Sequence, residues 1–543
     1  MRTLPAIFIL LVLLASGAWA APVNLNGENI YRYGILPSGE PLRAMNAAGI
    51  VIEGKDASCD PCHSRSGLGT REAQFTTLPI TGKYLFNPSA WYPEDKYYKY
   101  GPELIAPDHV PYTDETLARS ISDGIGSNGR ELGVIMPRYE LNKADMAALI
   151  DYLKNLSADN APGVTKDMLH FATIITPDAD PTEREVMLDI LNRYFAGKNL
   201  VDSSKRRLSS NEIGYLVTHK WQLHVWQLSG APETWEQQLH QKLAAEPVFA
   251  VISGLGHRTW APVHRFCEQA SIPCLLPNVD LPVADTTSFY PIYFSGGTLL
   301  EAQLISNRLA QEQALLKIKR VVHVFREGDI GEEAAKAVHL ATSSDSVPET
   351  VMMALKADGA GQDLSDALKN TVAGDALVLW LRPRDIAALP AAVPGSPVVF
   401  MSGLMGGEEY SPLPPAWRKV THLTYPFDLP ERRKPRMNFP HGRYKGGKVP
   451  ATALRIQADT YIACYTLSTT LANMMGRYVR DYLVERIELM LNKMATAGSF
   501  ATGYYPLLSL AYGQRFASKG GYIVRFADPS GNKLVAETNW IVP

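Results

Sequence analysis

The sequence predicts a multidomain chain in which a smaller N-terminal domain precedes a larger α/β domain of two lobes built on parallel sheets. Three observations carry this. A Cys-x-x-Cys-His motif at Cys59 is followed, some eighty positions on, by an amphipathic helix ending near Leu156. A Pro- and Gly-containing stretch comes next, and after it short β-rich runs alternate with helical stretches. With 543 residues, 46% of them hydrophobic, the chain can bury more than one core, and at about 150 residues per domain it has room for two to four lobes.

The chain opens with Met1-Arg2, an apolar stretch over 4–15 and a small-x-small site at Ala18-Trp19-Ala20. This predicts a secretory signal peptide over residues 1–20, removed after Ala20. Its apolar core is short of the roughly 20 residues a spanning helix needs. No later run is long, apolar and uncharged, so no membrane span is expected after cleavage, and the expected location is the periplasm. The 53 basic residues nearly balance the 55 acidic ones, which leaves no basic footprint for nucleic acid.

There are five cysteines, too few for a disulfide-dense scaffold. Cys59-Asp60-Pro61-Cys62-His63 has the spacing of covalent haem attachment. Two thiols add to the haem vinyl groups, and the adjacent imidazole coordinates the iron. A disulfide-exchange Cys-x-x-Cys would open a helix after a strand, whereas the loop Ser64-Arg65-Ser66-Gly67-Leu68-Gly69 follows here. A zinc site would need a second ligand pair, and the sequence has no second Cys-x-x-Cys.

For the opposite face of the iron the candidate ligand is Met136, in Gly133-Val134-Ile135-Met136-Pro137. A methionine in an apolar chain is more often core filler. Here Pro137 stiffens the loop, and a helix follows at once, with Asn142 as N-cap, Asp145 in its first turn, and Leu149, Tyr152, Leu153 and Leu156 on one stripe. Met146 lies inside that helix, and His109 is a weaker rival in the loop Pro107-Asp108-His109-Val110-Pro111. His63/Met136 ligation would fill both axial positions, which suits electron transfer better than oxygen chemistry.

On Cys59, Cys62, His63, Gly67, Gly69, Leu78-Pro79-Ile80-Thr81-Gly82 and Met136-Pro137, residues 29–157 resemble a class I cytochrome c domain. The resemblance implies an all-α fold, one covalent haem c and a periplasmic redox partner, either a dehydrogenase or another cytochrome. The stretch 91–101 is an insert relative to that family.

Ser157-Ala158-Asp159-Asn160-Ala161-Pro162-Gly163 reads as a linker, placed at 158–165. Beyond it, strands are expected at 170–176, 219–228, 248–253, 320–325, 376–381 and 397–402. Helices are expected at 181–196, 235–245, 261–270, 332–341 and 384–389. Repeated strand-then-helix units indicate a parallel sheet with crossovers. In order and texture, residues 166–543 resemble type I periplasmic binding proteins of the branched-chain amino-acid class. The residues carrying this are Val248-Phe249-Ala250-Val251-Ile252-Ser253-Gly254, Ile272-Pro273-Cys274-Leu275-Leu276-Pro277, Gly328-Asp329-Ile330-Gly331, Gln457-Ala458-Asp459-Thr460-Tyr461 and Gly521-Tyr522-Ile523-Val524-Arg525-Phe526.

In such folds a ligand sits at the carboxyl ends of the strands, in the cleft between lobes. The loops placed there supply Arg258, Thr259, Asn278, Asp280, Arg326 and Glu408 as candidate contacts for a small molecule. Arg258 could pair an anionic group bidentately. His257 and Arg258 are bulkier than the small hydroxyl residues that the resemblance implies for the first loop. Cys267 and Cys274 bracket a short turn and read as a local disulfide in an oxidising compartment; Cys464 reads as a buried thiol.

The function expected is an exported mono-haem c-type cytochrome carrying out periplasmic electron transfer, its C-terminal domain recognising a small molecule or a redox partner. The alternative is a haem-containing solute-binding or sensor protein of an ABC-transporter-like system. A substrate-oxidising enzyme has least support, since no GxSxG, HExxH or second cofactor motif is found, and no catalytic residue is assigned.

Overall fold

A computed structural model describes residues 25–72, 75–87, 109–158, 160–204, 219–285, 287–342, 349–359, 361–433, 443–474, 476–496, 503–511 and 513–543. The expected signal peptide and the insert at 91–101 lie outside these residues. The chain divides into two units, Met1–Asp159 and Asn160–Pro543.

The first unit runs α1 (Leu25–Tyr33), β1 (Arg43–Met45), β2 (Val51–Glu53), α2 (Asp60–His63), β3 (Thr70–Glu72), β4 (Phe75–Thr77), α3 (Gly82–Phe86), α4 (Asp114–Asp123), β5 (Arg138–Glu140) and α5 (Lys143–Asn155). Asn142 caps α5 as its position predicts, accepting hydrogen bonds from the Ala144 and Asp145 amides at 2.9 Å each. The buried stripe Leu149, Tyr152 and Leu153 packs α5 on α1, where Ile30 and Tyr31 are fully buried. The two helices meet at Gly27, where a Cβ would stand 2.3 Å from the Ala148 carbonyl oxygen and 2.5 Å from Tyr152 Cβ. Only a residue without a side chain permits that approach.

The all-α expectation for this unit is corrected. Strands β2, β1 and β5 form a three-stranded antiparallel sheet, and β3 pairs with β4. The β1–β2 turn is closed by Asn46, whose Oδ1 accepts from the Ala48 and Ile50 amides, with Gly49 at φ +74°. Three-residue strands are too short to leave an alternating pattern, so sequence periodicity does not reveal them.

The second unit has two sheets. In the first lobe β6 (Met168–Ile175), β7 (Lys220–Gln227), β8 (Ala250–Gly256), β9 (Cys274–Leu275), β10 (Asn278–Val279) and β11 (Pro291–Ile292) pair in parallel in the order β11-β9-β8-β6-β7, with β10 continuing alongside β8. Helices α6 (Pro181–Ser204), α7 (Trp235–Ala245) and α8 (Ala261–Gln269) are its crossovers. Strand β8 is buried along its whole length, which explains its unbroken apolar sequence. At Gly254 a Cβ would lie 2.8 Å from the Trp260 ring, so this glycine serves packing.

The chain then enters the second lobe through α9 (Gly297–Leu316), β12 (Arg320–Arg326), α10 (Ile330–Thr342), β13 (Glu349–Leu355), α11 (Gly361–Leu368), β14 (Asp375–Trp380), α12 (Pro383–Ile386), β15 (Val398–Ser402), α13 (Gly403–Gly406), α14 (Pro415–Arg418) and β16 (Thr421–Tyr425). A short hairpin, β17 (Arg443–Tyr444) and β18 (Gly447–Lys448), precedes α15 (Leu454–Asn473) and α16 (Arg480–Thr496). Helix α15 packs back on α6 and β8 of the first lobe. Finally β19 (Tyr522–Phe526) and β20 (Leu534–Ala536) complete the second sheet, β13-β12-β14-β15-β16-β19-β20, parallel up to β16 and antiparallel after it. The two-lobed α/β architecture on parallel sheets is thus as expected. Each lobe has its own core, one around Trp226, Trp260 and Phe266, the other around Phe325, Trp380 and Phe400, and each such side chain contributes on the order of 2 kcal/mol by leaving water.

Candidate functional site

Two clusters of chemistry-bearing residues emerge, one in each unit. In the first, Cys59 stands at the N-cap of α2 and its amide donates to the Tyr31 carbonyl at 2.9 Å, which ties the motif to α1. Asp60 is buried and accepts from Lys55 Nζ and Ser58 Oγ. One turn of helix brings Cys59, Cys62 and His63 together, the His63 amide bonding to the Cys59 carbonyl at 2.9 Å.

The His63 ring is held by its Nδ1–H, which donates to the Leu78 carbonyl at 3.0 Å. That bond fixes the tautomer and leaves the lone pair on Nε2, as in a ligating histidine braced through its other nitrogen. Burial lowers the His63 pKa, against the smaller effect of that hydrogen bond. Burial also pushes the Cys59 thiol up to about 12, only partly offset by a hydrogen bond from Tyr139.

Tyr139 lies on β5, so its contact with Cys59 brings the turn carrying Met136 close to the motif. That turn is closed by the Met136 amide on the Gly133 carbonyl at 3.1 Å and by Arg138 Nη1 on the Met136 carbonyl. The segments that bear the two axial candidates also expose apolar side chains: Leu78, Val134 and Ile135 are 42%, 73% and 66% exposed. The rival His109 packs between the Tyr84 and Tyr112 rings and bonds the Val110 carbonyl, which makes it part of that aromatic cluster. Cys59, Cys62, His63 and Met136 are therefore the residues that could hold a haem, and a braced imidazole beside paired thiols under an apolar rim is a donor set that fits one.

In the second unit, the carboxyl ends of β8, β10, β14 and β15 and the start of α15 converge between the lobes. Asp280, just past β10, is buried and receives three cations: His257 Nδ1 at 3.3 Å, Arg382 Nη1 at 3.3 Å and Arg455 Nη2 at 3.2 Å. Arg382 follows β14 in the second lobe, and it also grips Asp329 with two bonds of 3.0 Å and the His257 carbonyl at 2.8 Å. Burial alone would raise the Asp280 pKa, but the His257 hydrogen bond and the three charges hold it far below the usual carboxylate range. Conversely, burial would lower His257, yet Asp280 and Glu183, 2.8 Å away, lift it to about 10. It is an imidazolium at neutral pH.

Arg455 lies among three carboxyl groups: Asp280, Glu408 at 3.4 Å and Asp459 at 3.8 Å. Burial raises Glu408 to about 8 and Asp459 to about 7, with Arg455 pulling the other way in each case. Among the described residues, neither Asp459 oxygen has a hydrogen-bond partner. An aromatic group flanks them. Phe294 stacks on Tyr505 at 5.3 Å between centroids, and Phe427 sits 5.7 Å from Tyr504 and 5.5 Å from Tyr505.

Of the residues expected in the cleft, Asp280 and Glu408 belong to this cluster. Asn278 adjoins it, donating to Ser253 Oγ at 2.9 Å and Thr460 Oγ1 at 3.3 Å, while its buried Oδ1 has no partner. Arg258 is exposed and bears electrostatically on Asp329. Thr259 accepts from the Ala261 amide as a local bond at the start of α8. The expectation for Arg326 is corrected: it is committed inside the second lobe, bidentate to Asp385 at 3.0 and 2.7 Å and bonded to the Lys356 carbonyl. Its strand runs one residue past the expected 320–325 and includes Arg326, whose side chain is spent on closing a buried ion pair. The disulfide expectation also differs. Cys267 on α8 and Cys274 on β9 are two buried thiols in hydrogen-bond contact within the first-lobe core, with no S–S bond between them. The two side chains adjoin within that core, as the expected pairing requires.

Sequence reasoning missed Arg382, Arg455 and Asp459. Arg382 follows directly on the β-rich run 376–381 and could have been found by the rule that supplied the other loops. Arg455 and Asp459 had no such signal, since they arrive on a helix from the far end of the chain.

No family model matches this chain, and no curated protein matches it. Similar solved structures include a fatty acid ABC transporter substrate-binding protein from Thermomonospora curvata, 14% identical, covering 71% of this chain and 95% of its own with a TM-score of 0.48. Others are a substrate-binding periplasmic protein from Ralstonia solanacearum (13% identical, 68% and 100% covered, TM-score 0.48) and a branched chain amino acid ABC transporter from Thermus thermophilus with bound valine (10%, 69% and 97%, TM-score 0.48).

Proposed function

We propose that this chain is an exported solute-binding protein that also carries one c-type haem. The second unit captures a small molecule between its lobes, and the first transfers electrons one at a time. The observation that carries the receptor reading is the cluster at the strand ends, where groups of both lobes face one another and Asp459 and Asn278 keep buried acceptor atoms unpaired. A buried polar atom without a partner calls for an explanation, and here a solute held between the lobes supplies one.

Cys59 and Cys62 would hold the haem covalently, with His63 and Met136 as its axial ligands; when bound, the group supplies a one-electron couple. The His63–Leu78 hydrogen bond supports this reading, because it leaves Nε2 as the only basic ring nitrogen. The first unit's own contribution is to orient that imidazole through the Leu78 carbonyl.

The receptor reading is tested by calorimetric melting of the full-length protein against amino acids, carboxylates, amines and metal salts. A stabilising ligand supports it; a panel without effect refutes it. The haem is tested by expression in a host that matures c-type cytochromes. A colourless protein of polypeptide mass alone refutes it.

A further inference from the structure

The solute-binding reading leaves the ligand's chemistry open, and the charges of the cleft narrow it. Among the described residues, the partly buried cations His257, Arg382, Arg433 and Arg455 are each engaged by the protein's own acids, while Arg258 stands exposed. His257 is shared by Glu183 and Asp280, Arg382 by Asp280 and Asp329, and Arg433 by Glu409 at 3.1 Å and Tyr425. The acids are not equally served. Asp280 has three cationic partners, whereas Glu408 and Asp459 share Arg455 at longer range and otherwise feel no cation but Arg433 among the described residues.

The unpartnered atoms are acceptors. Asp459 is 1% exposed and, among the described residues, neither of its oxygens meets a donor; Asn278 Oδ1, one position of α15 away through Thr460, is buried and unpaired there as well. An atom of that kind calls for an N–H. Glu408, beside them, holds φ at +55° in a region that non-glycine residues seldom adopt, a cost of the sort that collects at binding sites.

The neighbouring walls are aromatic, and they already hold cations. The Arg433 guanidinium lies 3.9 Å over the Tyr504 ring, and that of Arg455 lies 5.7 Å from the Phe427 centroid. Ring faces of this kind attract a positive group and offer nothing to a negative one. Among the described residues no three His, Cys, Asp or Glu side chains converge as metal ligands do, which disfavours a bare metal ion.

We infer that the cleft takes an organic cation, a small amine or alkylammonium compound, with its charged nitrogen against Asp459 and Glu408 and its carbon skeleton along Phe427, Tyr504 and Tyr505. This inference rests on the solute-binding reading. A ligand carboxylate is disfavoured against Asp459 and Glu408 themselves, and the guanidinium groups beside them, Arg455 and Arg433, already face the protein's own acids.

The test is melting and titration calorimetry on the full-length protein at matched ionic strength. The probes are methylammonium, tetramethylammonium and putrescine chlorides, set against leucine, sodium acetate and calcium chloride. At least one organic cation should raise the melting temperature by several degrees, and Asp459→Asn and Glu408→Gln should each weaken its binding tenfold or more. Glu408→Gln is at a partly exposed side chain, so it reports even if the buried substitution perturbs folding. Stabilisation by leucine or acetate without any by the amines overturns the cation assignment and leaves the receptor standing. Stabilisation by calcium alone overturns it in favour of a metal site. An amine effect unchanged in both variants places binding elsewhere and overturns it too. Silence across all six probes overturns the assignment, while the broader ligand panel decides separately whether the receptor reading falls with it.

Discussion

Asp280 of the first lobe meets Arg382 of the second at 3.3 Å, and the same arginine binds the His257 carbonyl, so one side chain holds strand ends of both lobes. Removing Asp280 strands three cations in a buried place. Asp280→Asn should cost about 3–5 kcal/mol, as breaking a buried ion pair does, measured by denaturant unfolding. A loss below about 1 kcal/mol would mean that water replaces the carboxylate freely.

Stability should also depend on pH through Glu408 and Asp459. Their folded pKa values, about 8 and about 7, lie above the ordinary 4.5 and 3.8. The folded state therefore binds more protons than the unfolded one across this window, and the stability these groups contribute is lost as pH rises from about 4 towards 8. His257, raised to about 10, adds a loss in the same direction above its ordinary 6.5, whereas the lowered Asp280 acts only at more acid pH. Unfolding measured at intervals from pH 5 to pH 9 should show a falling stability, with a shallower fall in Asp459→Asn. Equal slopes in the two proteins would remove Asp459 as a source.

If the first unit carries the proposed haem, Met136→Ala should retain it covalently while lowering the reduction potential and opening the iron to carbon monoxide. His63→Ala should abolish normal ligation. Redox titration and carbon monoxide difference spectra check both, and a potential untouched by the Met136 substitution would rule that residue out as a ligand.

Cys267 and Cys274 are close enough for their thiols to touch, and protein recovered from an oxidising compartment should contain them joined. The mass without reductant should then be lighter by two hydrogens. Reduction should cost about 2 kcal/mol of stability for so short a loop. Both thiols remaining free to alkylation in unfolded, unreduced protein would show that the core keeps them apart chemically.

Gly27→Ala tests the crossing of the terminal helices. The added methyl would stand well inside contact distance of Ala148 and Tyr152, and overpacking of that kind costs roughly 1–3 kcal/mol. Thermal melting gives the value; an unchanged midpoint would show that α1 shifts without penalty.

Much of the architecture was legible in the chain. The runs 170–176, 219–228, 320–325 and 397–402 fall on β6, β7, β12 and β15, and 235–245 coincides with α7, because each is a half-buried or buried element whose apolar spacing reflects its period. Helix α9 escaped detection, since with Leu300, Leu304, Ile305 and Leu309 buried alongside Glu301 and Ser306 it presents no single apolar face. The edge strand β13 escaped because its burial is broken and its composition mixed.

What the sequence determined by itself is local. The thiol–thiol–imidazole spacing at Cys59, the capped helix beginning after Asn142 and the alternation of strand and helix each follow from a few neighbouring residues, and so survive without knowledge of the fold. What only the tertiary structure decided is which distant side chains share a space. Arg455 reaches Asp280 across 175 positions of chain, Tyr139 reaches Cys59 from the far side of its unit, and Arg326, on a correctly placed strand, turns to Asp385. Charges act through distance in space, and sequence separation carries almost no information about that distance once the chain has folded back between its two lobes.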